Sequence, residues 1–297
     1  MTAKKAETVE DLMRRAMRRP KQQESRQTDQ KLVQETLKHF SEKPVNFLLG
    51  KDPFTGTAIW QTQDEHDEKN PYKGMPDKMY IRDVLEVFEH EDVVVMEKGR
   101  QMMASTMACG FIAWECLSKR GRLWMISKKK ELDAVALLRD KIRGPWTRMP
   151  QWLKEAWPIS MTPREEVTCH RTGSHILGVT ENVANASGRG STASGFLLDE
   201  AAFQDGSRDI WAAVMPMSKK LFAITTPSLS PGGVFIKAKL DEAEEGKLLL
   251  EYMRGNTAHE REASKRVSKA PRAVARKESK DEGDASDGLP SAAPFEL

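Results

Sequence analysis

Two adjacent carboxylates, Asp199 and Glu200, close the mostly apolar run Gly195-Phe196-Leu197-Leu198 and are followed by the small residues Ala201 and Ala202. The run reads as a buried parallel strand ending in an acidic pair. In an open α/β sheet, ligands bind at the carboxyl ends of the strands. An acidic pair there can divide its labour. The first carboxylate holds a hydrated Mg²⁺, and the second orients or deprotonates a water. This is the Walker B layout of a nucleoside triphosphate hydrolase. Taken alone it is a weak signal, because an ordinary solvated strand end looks the same.

A second constellation lies upstream, with Ser105 standing 94 positions before Asp199. Val93-Val94-Val95-Met96 is a short β-branched run and predicts a strand. It leads into Glu97-Lys98-Gly99-Arg100-Gln101-Met102-Met103-Ala104-Ser105-Thr106. From Met107 to Lys119 the chain reads as a helix, with Phe111, Ile112, Trp114, Cys116 and Leu117 supplying apolar surface. A strand, a loop carrying Lys, Gly and Arg, and Ser-Thr opening a helix make the context of a P-loop. Backbone N–H groups from Gly99 to Ser105, with the helix N-terminus, would cradle phosphate oxygens. The loop departs from G-x-x-x-x-G-K-[ST]. Aligned on Ser105, Lys98 stands for the first Gly, Met103 for the second and Ala104 for the Lys. The missing cation can come from Lys98 at the strand end or from Arg100. Lysine would act as a flexible point charge and arginine as a rigid fork.

These residues must be positioned by an α/β core. Strands are expected at 92–96, 122–127, 174–180, 195–199 and 221–226, and helices at 80–90, 105–119, 130–143 and 207–214. Such alternation predicts a mostly parallel sheet with helices on both faces. The 174–180 piece, with Glu166 to His170, reads alternatively as a peripheral hairpin. Four regions follow: a helical N-terminal extension over 1–45, a connector over 46–75, the ATPase core over 76–245, and a mostly disordered tail over 246–297 that opens with a helical turn. The tail is rich in Ala, Ser, Lys, Glu and Asp, too polar to offset its ordering entropy.

Composition narrows the classes. The chain has 297 residues, 39% of them hydrophobic, enough for one or two domains with some unpacked length. No uncharged apolar run approaches the ~20 residues a bilayer requires, and the Lys- and Glu-rich start is no signal peptide. The three cysteines form no C-x-x-C pair and the six histidines no H-x-x-x-H pair, which points to buried reduced thiols and against zinc. A net charge of +3 does not by itself argue for nucleic acid. Residues 1–40 nevertheless hold ten Lys or Arg against six Asp or Glu, with Arg14, Arg15, Arg18 and Arg19 on one helix face. Residues 260–277 hold seven against two. Basic clusters of this kind suit DNA phosphates, and equally a solvated helix face or tail.

Lys98-Gly99-Arg100-Gln101-Met102-Met103-Ala104-Ser105 resembles the deviant Walker A of phage large terminase subunits. Further segments match in order: Leu123 to Lys128 as second strand and loop, and Ala134 to Arg143 with Met149-Pro150-Gln151-Trp152-Leu153 as the helix and Pro-x-Trp-Leu step. Thr172-Gly173-Ser174-His175-Ile176 resembles the hairpin, Ser187-Gly188-Arg189-Gly190 the Arg-Gly step before Walker B, and Ile224-Thr225-Thr226-Pro227 the coupling motif. The similarity covers residues 76–240.

The resemblance implies a P-loop NTPase of the ASCE, RecA-like class that hydrolyses ATP with Mg²⁺. Ser105, with Thr106 as the alternative register, would coordinate the metal beside Asp199. Glu200 would polarise the attacking water. Lys98 is the candidate for the displaced phosphate lysine, and Arg100 for a second cation. Arg189 resembles an arginine finger, Thr225 and Thr226 the γ-phosphate-sensing coupling motif, and Tyr80 an adenine-stacking ring without its usual glutamine. Implied partners are double-stranded DNA, a portal protein, a small terminase subunit and further copies of this chain in a ring, in the host cytoplasm and with no membrane. No acidic nuclease motif follows residue 245, which implies a packaging ATPase without its cutting module. Two other readings stand beside it: a helicase-like or other DNA-stimulated P-loop ATPase, and a non-hydrolysing packaging scaffold, because Ala104 replaces the usual lysine.

Overall fold

The computed structural model describes residues 29–64, 67–99, 102–162, 166–180, 192–244 and 249–253. In chain order, residues 29–42 form helix α1, followed by α2 (Pro44–Leu48), a hairpin of β1 (Gln61–Gln63) and β2 (Tyr72–Gly74), and α3 (Met79–His90). Next come β3 (Val93–Lys98), α4 (Ala104–Ser118), β4 (Leu123–Lys128) and α5 (Glu131–Leu138), which runs through one π-turn into α6 (Gly144–Arg148) and then α7 (Gln151–Ala156). The rest is β5 (Ile159–Met161), β6 (Glu166–Cys169), β7 (Ser174–Thr180), β8 (Ala193–Asp199), a 3₁₀ turn (Ala201–Phe203), α8 (Ser207–Val214), β9 (Ser218–Thr225), α9 (Pro231–Glu244) and β10 (Leu249–Met253).

One sheet of eight strands runs in the order β10-β3-β9-β8-β4-β7-β6-β5. The strands from β10 to β7 are mutually parallel, and β6 and β5 add antiparallel at one edge. The two readings of residues 174–180 therefore meet: β7 is a parallel neighbour of β4 and also half of a hairpin with β6. Successive side chains of a strand face opposite sides. On one face Val94, Met96, Trp124, Ile126, Leu197, Phe222 and Ile224 pack with α3 and α4. On the other, Val95, Met125, Phe196, Leu198 and Ala223 pack under Ile210, Trp211 and Val214 of α8 and Ile236 and Leu240 of α9. The result is the expected parallel sheet between two helical layers.

α4 is the central helix. It is apolar nearly all round and buried from Thr106 to Leu117, so it needs cover on the side away from the sheet. That cover comes from within the segment read as a connector over 46–75: Phe47, Leu48, Ile59 and Trp60 are fully buried against the main core. Gly110 makes the approach possible, since a Cβ there would lie 2.6 Å from Leu48 Cδ2. Trp114 Nε1 also donates to the Phe40 carbonyl at 3.0 Å, tying α1 to α4. Apolar residues without a regular period left no helical or strand signature over this segment. One correction concerns the helical turn expected after residue 245. Where a helical turn was expected, Leu249–Met253 form β10 and pair in parallel with Val94 to Lys98. The expected helix over 130–143 is α5 continued by the π-turn Arg139–Arg143. Among the described residues no helix is long and apolar enough to cross a membrane, and all three cysteines are buried free thiols.

Gly195 opens the apolar run of β8 for a steric reason. A Cβ at this position would fall 2.3 Å from Trp124 Cη2. The indole has little freedom to retreat, because it is fully buried and its Nε1 donates to Glu115 Oε2 at 2.7 Å. Glu115 is itself buried and lies 3.3 Å from Lys119 Nζ. Gly195→Ala is expected to cost about 1–3 kcal/mol of stability through overpacking. Urea unfolding followed by tryptophan fluorescence checks this, as a lower midpoint at unchanged slope.

Candidate active site

The loop after β3 enters α4 through Met103, a non-glycine residue held left-handed at φ 55° and ψ 13°. The Met103 carbonyl accepts the first helical bond, from Met107 N at 2.8 Å. Ala104, Ser105 and Thr106 thus carry N–H groups that have no partner four residues back. Among the described residues no side chain caps this end, and the first turn holds no acidic residue. The positive end of this 15-residue helix therefore opens on the sheet's carboxyl edge with no acidic residue of its own to offset it. Met102 and Ala104 are buried in the main core, so they offer this edge their backbone.

Two strands away, β8 delivers Asp199 with 1% of its surface exposed. Ser105 Oγ donates to Asp199 Oδ1 at 2.6 Å, closing a gap of 94 residues in sequence. The hydroxyl that meets the carboxylate is that of Ser105; Thr106 is buried within α4. Asp199 Oδ2 faces Lys128 Nζ at 2.7 Å as an ion contact. The same ammonium lies 3.0 Å from Glu200 Oε2. Lys128 ends β4, the strand beside β8, where Ser127 is opposite Leu198. Burial pushes the Lys128 pKa down, but the charges and hydrogen bonds of Asp199 and Glu200 outweigh it, so the net shift is upward.

Glu200 is the second left-handed non-glycine residue, at φ 55° and ψ 43°, with its side chain 56% exposed. Left-handed backbone at a side-chain-bearing residue costs of order 1–3 kcal/mol and persists only where surrounding contacts enforce it. Those contacts are visible. Gln204 is buried and clamps two strand ends: its Nε2 donates to the Asp199 carbonyl at 2.8 Å and to the Ser127 carbonyl at 3.2 Å, while its Oε1 accepts from Ser127 Oγ at 2.8 Å. Thr225, at the end of β9, accepts from Ala202 N at 3.0 Å and donates to the Thr226 carbonyl at 3.0 Å. Ser230 Oγ, at the start of α9, donates to the Ala202 carbonyl. The turn carrying Glu200 is thus coupled to the ends of β4 and β9 and to α9.

Ser105, Asp199 and Glu200 come together, and Thr225 touches the same turn with Thr226 directly after it. Lys98 ends β3, half-exposed, and makes no ion pair with a described residue; Gly99 beside it is exposed. Tyr80 sits in the first turn of α3, half-buried against the main core. Arg100, Gln101 and Arg189 lie outside the described residues. Sequence reasoning missed Lys128 and Gln204. The signal for Lys128 was present as Lys128-Lys129-Lys130, three cations at the carboxyl end of a strand; Lys129 pairs with Asp205 at 2.8 Å. Glu97 was passed over too. It stands opposite Thr225 in the β3–β9 register, and burial raises its carboxyl pKa against a partial opposing pull from Lys237.

The donor set suits Mg²⁺: a hydroxyl and a carboxylate, both hard oxygen ligands. Among the described residues no group of three or more His, Cys, Asp or Glu forms a metal cage.

No protein-family model and no curated protein matches the chain in sequence. Solved structures do match in shape. The large terminase of bacteriophage HK97 superposes with a TM-score of 0.53 at 11% identity, over 82% of this chain and 51% of that one. The large terminase of a thermophilic bacteriophage gives 0.46 at 15% identity, over 60% and 46%. The same thermophilic phage protein in complex with ATP-γ-S gives 0.45 at 17%, over 65% and 49%. The chain spans about half the length of these structures. With its parallel sheet between helical layers and its loop-to-helix entry at Ser105, this chain has the fold seen in a phage large terminase.

Proposed function

We propose that this chain is a DNA-packaging motor ATPase, hydrolysing ATP to move double-stranded DNA into a phage procapsid. The observation that carries the reading is the 2.6 Å bond between Ser105 Oγ and Asp199 Oδ1 at the foot of an uncapped helix. It brings the phosphate-cradling element and the acidic strand end to one point. In-line phosphoryl transfer needs positioning and charge neutralisation more than covalent chemistry. The N–H groups of the loop and of α4 bind phosphate oxygens. Ser105 and Asp199 would hold Mg²⁺, which when bound offsets phosphate charge. Glu200, on its exposed left-handed turn, orients the attacking water and takes its proton. Lys98 is the candidate for the displaced phosphate lysine, and Arg100 for a second cation, where Ala104 stands in place of the usual lysine. Thr225 and Thr226 sense the terminal phosphate through the turn that Thr225 already holds, and Arg189 reaches a neighbouring subunit's site. Tyr80 flanks the base. The working assembly is a ring of this chain with portal protein and a small terminase subunit.

Mg²⁺-dependent ATP turnover with double-stranded DNA and portal present tests this. Turnover stimulated by those partners supports it. A wild-type chain as inert as Glu200→Gln under the same conditions defeats it. Strand displacement without a portal would favour the helicase reading.

A further inference from the structure

We propose that Lys128 is the cation that faces the terminal phosphate of the nucleotide, a role left open by Ala104 in the loop. This deepens the ATPase reading and rests on it. Ala104 is 1% exposed and packed in the main core, so its position offers the edge no side-chain charge. Lys98 makes no ion pair with a described residue. Lys128, by contrast, is already in the centre of the cluster. Its Nζ lies 2.7 Å from Asp199 Oδ2 and 3.0 Å from Glu200 Oε2. Ser105 Oγ occupies the other oxygen of the same Asp199 carboxylate. The ammonium and the Ser105 hydroxyl are therefore held on the two sides of one carboxylate.

The topology says which phosphate it meets. The N-terminus of α4 fixes the inner phosphates beside Ser105. Glu200, which orients the attacking water, must face the outermost one, because an in-line nucleophile approaches opposite the leaving group. Lys128 bridges these two points. An ammonium has three N–H donors, and its two carboxylate neighbours, held as ion contacts, do not use them all, which leaves donor capacity for a phosphate oxygen. Its own strand places it there: β4 and β8 are hydrogen-bonded neighbours, and both end at this edge. The side chain is 12% exposed, so the contact would form with little competing water.

The test is a titration of the full chain with ADP and with ATP-γ-S, in Mg²⁺ and in EDTA, reading dissociation constants. Lys128→Ala is expected to weaken ATP-γ-S by about 10- to 100-fold, the scale of one charged hydrogen bond, and to leave ADP nearly unchanged. ADP serves as the internal control for folding. Equal weakening of both nucleotides overturns the assignment and leaves Lys128 as a counter-charge to Asp199. Loss of the ATP-γ-S preference in Lys98→Ala, with the preference kept in Lys128→Ala, overturns it in favour of Lys98. If Lys128→Ala does not fold for want of a partner to Asp199, the comparison of Asp199→Asn with Asp199→Asn/Lys128→Ala in EDTA carries the same expected and opposing results. A wild-type chain that binds neither nucleotide defeats the ATPase reading and the assignment with it.

Discussion

On the proposed reading, Glu200→Gln is expected to lower ATP turnover by about 10²- to 10⁴-fold, the usual worth of a positioned general base, with nucleotide affinity expected to stay close to that of the wild type. The split follows from where Glu200 sits. Its side chain is 56% exposed and its ion contact among the described residues is Lys128, so exchanging oxygen for an amide disturbs no packing. The left-handed backbone is enforced by Gln204, Thr225 and Ala202 rather than by the Glu200 carboxyl, so the turn persists. A loss in turnover with unchanged binding is the mark of an interaction made in the transition state. Steady-state turnover and nucleotide titration of the same preparation check it. Parallel losses in both would assign Glu200 to binding.

Asp199→Ala has the largest expected effect on the folded chain itself. The carboxylate is 1% exposed, accepts from Ser105 Oγ and faces Lys128. Removing one member of a buried pair leaves the other charge uncompensated, at a cost of about 3–5 kcal/mol. Glu200 remains 3.0 Å from the ammonium and 56% exposed, which places the expected loss at the lower end, about 3 kcal/mol. Asp199→Asn keeps an acceptor for Ser105 and should lose less. Urea unfolding reads both variants, and their order is the informative part. Equal loss would mean that the cost comes from the missing charge, which both variants share, rather than from the cavity and the lost acceptor.

The β-branched run at 93–96 and the apolar run ending in Asp199 were legible because buried parallel strands are continuously apolar, and both became central strands. α8 was legible from 207 to 214 because its apolar residues keep a helical period. The pairing of Ser105 with Asp199 could be expected because each closes a strand or opens a helix at the same sheet edge. Lys128 could not be chosen from its neighbours Lys129 and Lys130, since only the position within β4 decides which lysine turns toward β8. Gln204 was hidden for another reason: its role is to satisfy backbone carbonyls, and those partners exist only once β4 and β8 are adjacent. The packing of Phe47, Leu48, Ile59 and Trp60 escaped notice because it depends on α4 being apolar all round. β10 was obscured by the polar residues that follow it in sequence.

The proposed function has Ser105 and Asp199 serve one metal ion beside one triphosphate. A double-mutant cycle of Ser105→Ala and Asp199→Asn, reading ADP and ATP-γ-S affinity with Mg²⁺ and with EDTA, examines that pairing. In Mg²⁺ each single variant should lose most of the metal-dependent affinity, and the double variant should lose little more. In EDTA the coupling should shrink to that of an ordinary hydrogen bond. Independent, additive losses that are the same with and without Mg²⁺ would contradict a shared metal.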